Sequence, residues 1–191
     1  MNKKIKKEAI EWIILLTVMG LLYFTGLHTE VLGKIQQAVL YTGLIQPDKP
    51  TTLKTADYHF TLEDFHGNEF LFEDKNGEVV FLNFWATWCP PCIAEMPDIH
   101  ELYQSSKETV SFVLISIDKD EQKARDYIDK KGFEFPVYFL RSSLPKTYEV
   151  SSIPTTYILG KDGQIHIENH GMAKYNTPKI KQLLTSLSVM E

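Results

Sequence analysis

The chain has 191 residues, 43% hydrophobic and 24% charged, which suits one globular domain with an appendage and excludes a disordered chain. Its net charge of −5 is uneven: residues 1–45 balance at +2, and residues 46–191 at −7 with Arg125 and Arg141 as their arginines. So acidic and arginine-poor a domain is unsuited to phosphate backbones, which argues against a nucleic-acid partner.

The N-terminus carries Lys3, Lys4, Lys6 and Lys7, and a charge-free run follows from Trp12 to Thr29. As a helix those 18 residues would extend about 27 Å, short but sufficient for a bilayer. The reading is an uncleaved signal anchor over residues 1–28, in the inner or cytoplasmic membrane of a bacterium. The Lys cluster stays inside and the rest of the chain lies outside. Cleavage is disfavoured because Tyr23-Phe24-Thr25-Gly26-Leu27 holds no Ala-x-Ala-like site.

Residues 29–55 read as a juxtamembrane segment. Val31, Leu32, Ile35, Ala38 and Val39 recur at helical spacing, which suggests an amphipathic helix near the membrane surface or a continuation of the anchor. Gly43 would end it, and residues 47–54 read as a linker.

From Ala56 to Glu191 strands and helices alternate. Tyr58–Leu62 reads as an edge strand, and Phe70–Phe72 as the second arm of a hairpin. Val79–Phe84 is nearly continuous β-former, as in a strand covered on both faces. A helix begins at Pro90 and runs to about Ser106. Val110–Ile117 is a buried strand, Glu121–Lys131 a helix ending at Gly132, Phe135–Leu140 a strand and Leu144–Glu149 a short helix. Thr155–Leu159 and Gln164–Glu168 flank a turn, and Thr177-Pro178 caps a last helix. The order implies an α/β fold: a mixed central sheet with helices on both faces.

The chain has two cysteines, Cys89 and Cys92, in Trp88-Cys89-Pro90-Pro91-Cys92. So close a pair cannot staple a domain, which leaves a redox couple or half of a metal site. At a helix N-terminus, free N–H groups and the helix dipole stabilise a thiolate, and one turn brings the second sulfur within bonding reach. Zinc would need a second pair, for which His166 and His170 are the available candidates.

The Trp-Cys-Pro-Pro-Cys box after a buried strand resembles the thioredoxin superfamily, and more narrowly its TlpA/ResA-like extracytoplasmic branch. The resemblance covers residues 56–190. It implies a thioredoxin-like fold with an N-terminal β-hairpin extension, and dithiol–disulfide exchange by a Cys89–Cys92 disulfide without a cofactor or metal. By the same resemblance Ile153-Pro154 is a cis-proline loop facing the cysteines, and Gly171 completes the substrate groove. Pro97 kinks the active-site helix, and Trp88 forms a groove wall. Thioredoxins place a buried Asp where this chain has Asn83. Glu95, one turn beyond Cys92, takes its place as the expected base. Asp118 and Asp120 read as caps of the following helix.

The expected function is reduction of disulfides in exported proteins, such as apocytochrome c, with electrons from a membrane donor. A peroxidase would want a hydroxyl where Ala86 stands. The non-enzymatic alternative is a metal or copper carrier.

Overall fold

The computed structural model of the protein describes residues 3–24, 27–47 and 54–189. Helices α1 (Lys3–Phe24) and α2 (Leu27–Tyr41) come first. The strands are β1 (Lys54–Thr55), β2 (Thr61–Asp64), β3 (Glu69–Leu71), β4 (Val80–Trp85), β5 (Ser111–Ser116), β6 (Val137–Leu140), β7 (Thr155–Leu159) and β8 (Gln164–His170). Interleaved with them are α3 (Pro90–Ser106), α4 (Glu121–Lys131) and α5 (Pro178–Ser188). Among the described residues the strands form one mixed sheet in the order β1-β8-β7-β4-β5-β6-β2-β3.

β4 lies between parallel β5 and antiparallel β7, and all of its residues are buried. Coverage of both faces is why its sequence is continuously apolar rather than alternating. Phe81 and Trp85 join one core cluster, which includes Met96 and Ile99 of α3, Ala124 and Ile128 of α4 and Leu184 of α5. Val80, Leu82 and Phe84 face the second cluster, with Phe60, Phe72 and Tyr148.

The expectation of helices on both faces is corrected here. α3, α4 and α5 all contribute to the first cluster, and the second face is covered by residues 56–60, the 3₁₀ turn Phe72–Lys75 and the segment around Tyr148. The connections β4–α3–β5 and β5–α4–β6 both step in the same direction across parallel strands. Right-handed crossovers that step the same way place their helices on the same side. The expected helix at Leu144–Glu149 is also absent. Tyr148 N–H closes a single turn on the Pro145 carbonyl, and the segment sends Leu144, Tyr148 and Val150 to the core.

The hairpin extension is present, shifted from its expected position. β2 pairs with β3 on one side and β6 on the other, so β3 rather than β2 is the edge. Phe60 stacks on Phe72 at 4.3 Å beneath it.

Among the described residues no helix is long and apolar enough to cross a membrane. The charge-free run counted from the sequence is divided between two helices: α1 ends at Phe24 and α2 begins at Leu27. Any 18-residue stretch inside α1 takes in Lys7, Glu8 and Glu11. The 13 uncharged residues Trp12–Phe24 reach only about 20 Å at 1.5 Å per residue, short of a hydrocarbon core. The reading of Thr25-Gly26 as an uncleaved site lies outside the described residues.

α2 packs against α3 with Gly33 and Leu40 buried, while Val31, Leu32, Ile35 and Val39 of the expected apolar stripe are exposed. Residues 48–53 of the expected linker lie outside the described residues, and Lys54 already pairs with Ile165 in the sheet.

Candidate active site

β4 ends at Trp85, and the chain turns through Ala86–Trp88 to deliver Cys89 as the N-cap of α3. Cys89 keeps extended backbone angles, φ −100° and ψ 101°, while Pro90 and Pro91 occupy the first helical positions, where a missing N–H costs nothing. The Cys92 N–H donates to Cys89 Sγ at 3.3 Å, and the two sulfurs are joined as a disulfide with Cα atoms 5.3 Å apart. Cys92 is fully buried and Cys89 4% exposed, so the outer sulfur is the one within reach of a partner.

The turn before Cys89 is held by a residue whose role the sequence did not disclose. Asp118 Oδ2 accepts from the Thr87 N–H at 2.9 Å, and Oδ1 accepts from the Thr87 hydroxyl at 2.7 Å. The Ser116 hydroxyl also donates to Asp118 at 2.9 Å. Asp118 was expected to cap α4. Asp120 alone does so, accepting from the Gln122 N–H. Nothing local marks Asp118, because its partner lies 31 residues away and meets it only through the parallel pairing of β4 with β5.

Facing the cysteines is the loop before β7. Its Ile153–Pro154 peptide is cis, and the Ile153 carbonyl oxygen lies 3.7 Å from Cys89 Sγ. Gly171 N–H donates to the Pro154 carbonyl at 2.7 Å with φ +98°, a conformation that favours glycine. Trp88, next to Cys89 in the chain, is 57% exposed. The structure thus brings Cys89, Trp88, Ile153, Pro154 and Gly171 to one end of the sheet. Ala86 is buried and offers no hydroxyl there.

Behind the sulfurs lies a buried polar group. Glu95, one turn beyond Cys92, is wholly buried rather than on the helix surface. Its Oε1 accepts from Asn83 Nδ2 at 3.0 Å, and its Oε2 from the Ala173 N–H at 3.3 Å. Burial is the largest influence on this carboxyl and, with Asp98 adding repulsion, pushes its pKa up to about 8 against the pull of those two donors. Asn83 Nδ2 also donates to Thr156 Oγ1 at 2.9 Å, its antiparallel partner in β7. Asn169 Nδ2 donates to the Tyr175 hydroxyl at 3.3 Å. Thr156, Ala173 and Tyr175 went unrecognised in the sequence, since each comes near Glu95 only through strand register and the loop after β8.

One turn further along α3, Asp98 Oδ2 accepts from the Tyr175 and Asn176 N–H groups at 2.6 and 2.9 Å. Pro97 sits between the two carboxylates inside the helix.

His166 and His170 do not converge with the cysteines. Four residues apart on β8, they lie about 13 Å from one another along the strand. His166 pairs with Asp162 at 3.0 Å, while His170 is at the other end beside Thr155 at 3.3 Å.

The family profile described as thioredoxin-like matches residues 76–165. The thiol-disulfide oxidoreductase ResA of Bacillus anthracis is 32% identical over 128 residues, covering 66% of this chain and 74% of that protein. ResA of Geobacillus kaustophilus is 30% identical over 155 residues, covering 80% of this chain and 79% of that one. The chain belongs to the ResA-like thiol–disulfide oxidoreductases of the thioredoxin superfamily. A solved structure from Chlorobium tepidum, provisionally described as the thiol:disulfide interchange protein DsbE, superposes with a TM-score of 0.61 at 25% identity. It covers 72% of this chain and 99% of that one. As a ResA-like oxidoreductase the protein is an enzyme of dithiol–disulfide exchange, and its Cys89–Cys92 pair is the couple available for that chemistry.

Proposed function

We propose that this ResA-like protein reduces disulfides of exported proteins outside the cytoplasm, with Cys89 as nucleophile, Cys92 as resolving thiol and Glu95 as the base serving Cys92. The Cys89 thiolate attacks one sulfur of a substrate disulfide, and the other sulfur leaves as a thiolate that takes up a proton. Cys92, losing its proton, then attacks Cys89 Sγ and expels the second substrate thiol. The substrate gains two electrons and two protons, and the protein ends as the Cys89–Cys92 disulfide.

The observation that carries this reading is the fully buried Glu95 carboxyl, one turn from a fully buried Cys92 and held by Asn83. A resolving thiol shielded from water needs an internal proton acceptor, and Asn83 cannot take a proton. The Ile153 backbone beside Cys89 supports strand-like pairing with an extended substrate segment, flanked by Trp88, Pro154 and Gly171.

Regenerating the dithiol requires a reductant on the same side of the membrane, for which a membrane-held dithiol donor is the fitting class. Attachment of this chain to the membrane is supported by α1, whose Trp12, Ile13, Leu16, Met19 and Tyr23 are each more than half exposed. A Cys92→Ser variant tests the assignment: it should trap exported proteins as mixed disulfides through Cys89. Recovery of cytosolic proteins alone, or of none, would overturn it. Protease added to spheroplasts should degrade the domain if it lies outside.

A further inference from the structure

α2 is fastened to the redox helix itself. A Cβ built on Gly33 would lie 3.0 Å from Ile93 Cγ2 and 3.3 Å from the Pro90 carbonyl oxygen, so α2 meets the first turn of α3 at a distance where any larger side chain must push Ile93 aside. On one side of this crossing Glu30 pairs with Lys130 at 2.9 Å and Lys131 at 3.6 Å, at the end of α4. On the other side Leu40 is buried, and Lys174 Nζ lies over the Tyr41 ring. The chain beyond α2 is bonded too: the Lys174 N–H donates to the Ile45 carbonyl at 2.9 Å, next to the Ala173 N–H that binds Glu95.

These contacts leave little free chain between α1 and the domain. From Gly33 back to Leu27 is about 9 Å of helix, and from Leu27 to Phe24 no more than about 11 Å of chain. Exposed apolar side chains surround α1 rather than forming one stripe, and Lys3, Lys4, Lys6 and Lys7 precede them in sequence. That combination fits lipid with anionic headgroups better than a protein groove.

We infer that α2 is a rigid strut that seats the redox domain directly on the bilayer at a fixed height, so that Cys89 serves partners held in or at the same membrane. This rests on the reading of α1 as lipid-associated. A flexible tether would let the domain sample a wide shell, whereas a strut confines Cys89 to one layer above the lipid. The strut's foot is the first turn of α3, immediately after Cys89.

The test uses the full-length reduced protein on vesicles of phosphatidylcholine with phosphatidylglycerol. The vesicles carry a disulfide attached to a lipid headgroup through spacers of graded length. Cys89 attacks that disulfide, Cys92 completes the transfer, and the lipid thiol released is counted. The parent should show a threshold, the rate rising about tenfold across one spacer increment, because effective concentration collapses when a linker cannot span its gap. Gly33→Leu, which cannot seat on Ile93, and Glu30→Lys, which repels Lys130 and Lys131, should each turn the threshold into a gradual slope. Rates against soluble glutathione disulfide should stay at the parent level, which shows that the redox site is intact. Should Gly33→Leu misfold, Glu30→Lys carries the comparison. A parent already lacking a threshold, or undocked variants that keep it, would overturn the strut. Failure of the parent to float with the vesicles would instead overturn the lipid reading of α1, and the strut with it.

Discussion

Asn83 Nδ2 donates to Glu95 Oε1 at 3.0 Å, tying the central strand to the redox helix one turn beyond Cys92. The contact places an amide where a second carboxylate would repel Glu95, and it leaves Asn83 Oδ1 buried without a protein partner. Glu95→Gln should therefore slow disulfide exchange on the order of tenfold or more and remove a step in the pH–rate profile near 8. A profile that matches the parent's would return Glu95 to a purely structural role.

The same carboxyl sets a stability trend. Its pKa is raised from 4.5 to about 8, mainly by burial, so the folded protein keeps a proton that the unfolded chain has released. The folded state is thus penalised progressively as pH rises from about 4.5 to 8, and the penalty is constant above that. Urea unfolding across pH 5 to 9 should show Glu95→Gln gaining on the parent as pH rises. A constant difference between the two would count against the assigned shift.

Asp118→Ala should loosen the turn that presents Cys89. Three hydrogen bonds are lost, two of them from Thr87, and the Thr87 N–H loses its acceptor. The expected cost is about 2 kcal/mol in denaturant unfolding, with slower exchange at saturating substrate. Unchanged stability would show that water replaces the carboxylate without cost.

Alkylation of the reduced protein should label Cys89 before Cys92. Cys89 caps α3 at the surface end, while Cys92 is fully buried one turn in. Mass spectrometry after a short pulse of iodoacetamide decides the order, and prior labelling of Cys92 would reverse the proposed roles.

The couple should be reducing, nearer to about −270 mV than to the about −120 mV of a dedicated oxidant. Pro90 and Pro91 bring no N–H to the Cys89 sulfur, so the Cys92 amide at 3.3 Å is the backbone donor, and the Ile153 carbonyl oxygen stands 3.7 Å away with like charge. A poorly supported thiolate makes the disulfide the favoured form. Equilibration against dithiothreitol buffers gives the value, and a potential in the oxidant range would contradict the backbone argument.

The sequence by itself determined the central strand, the redox helix that follows it and the couple. A continuously apolar strand, two prolines opening a helix, and Cys-x-x-Cys at its start are local signals, set by backbone chemistry within ten residues. The caps Asp120 and Thr177 and the stop at Gly132 were legible for the same reason, whereas Gly171 was pointed to by the family resemblance alone. Whether Glu95 points to solvent or core, which face the helices cover, and what Asp118 holds are matters of long-range register. Asn83 meets Thr156 across 73 residues, and Thr87 meets Asp118 across 31. The N-terminal segment shows the converse. Its apolar run suggested one spanning helix, but α1 ends at Phe24, and the following segment forms α2, whose Gly33 packs on Ile93 of the domain. Hydrophobicity records that a side chain avoids water, and only the tertiary structure decides whether lipid or protein covers it.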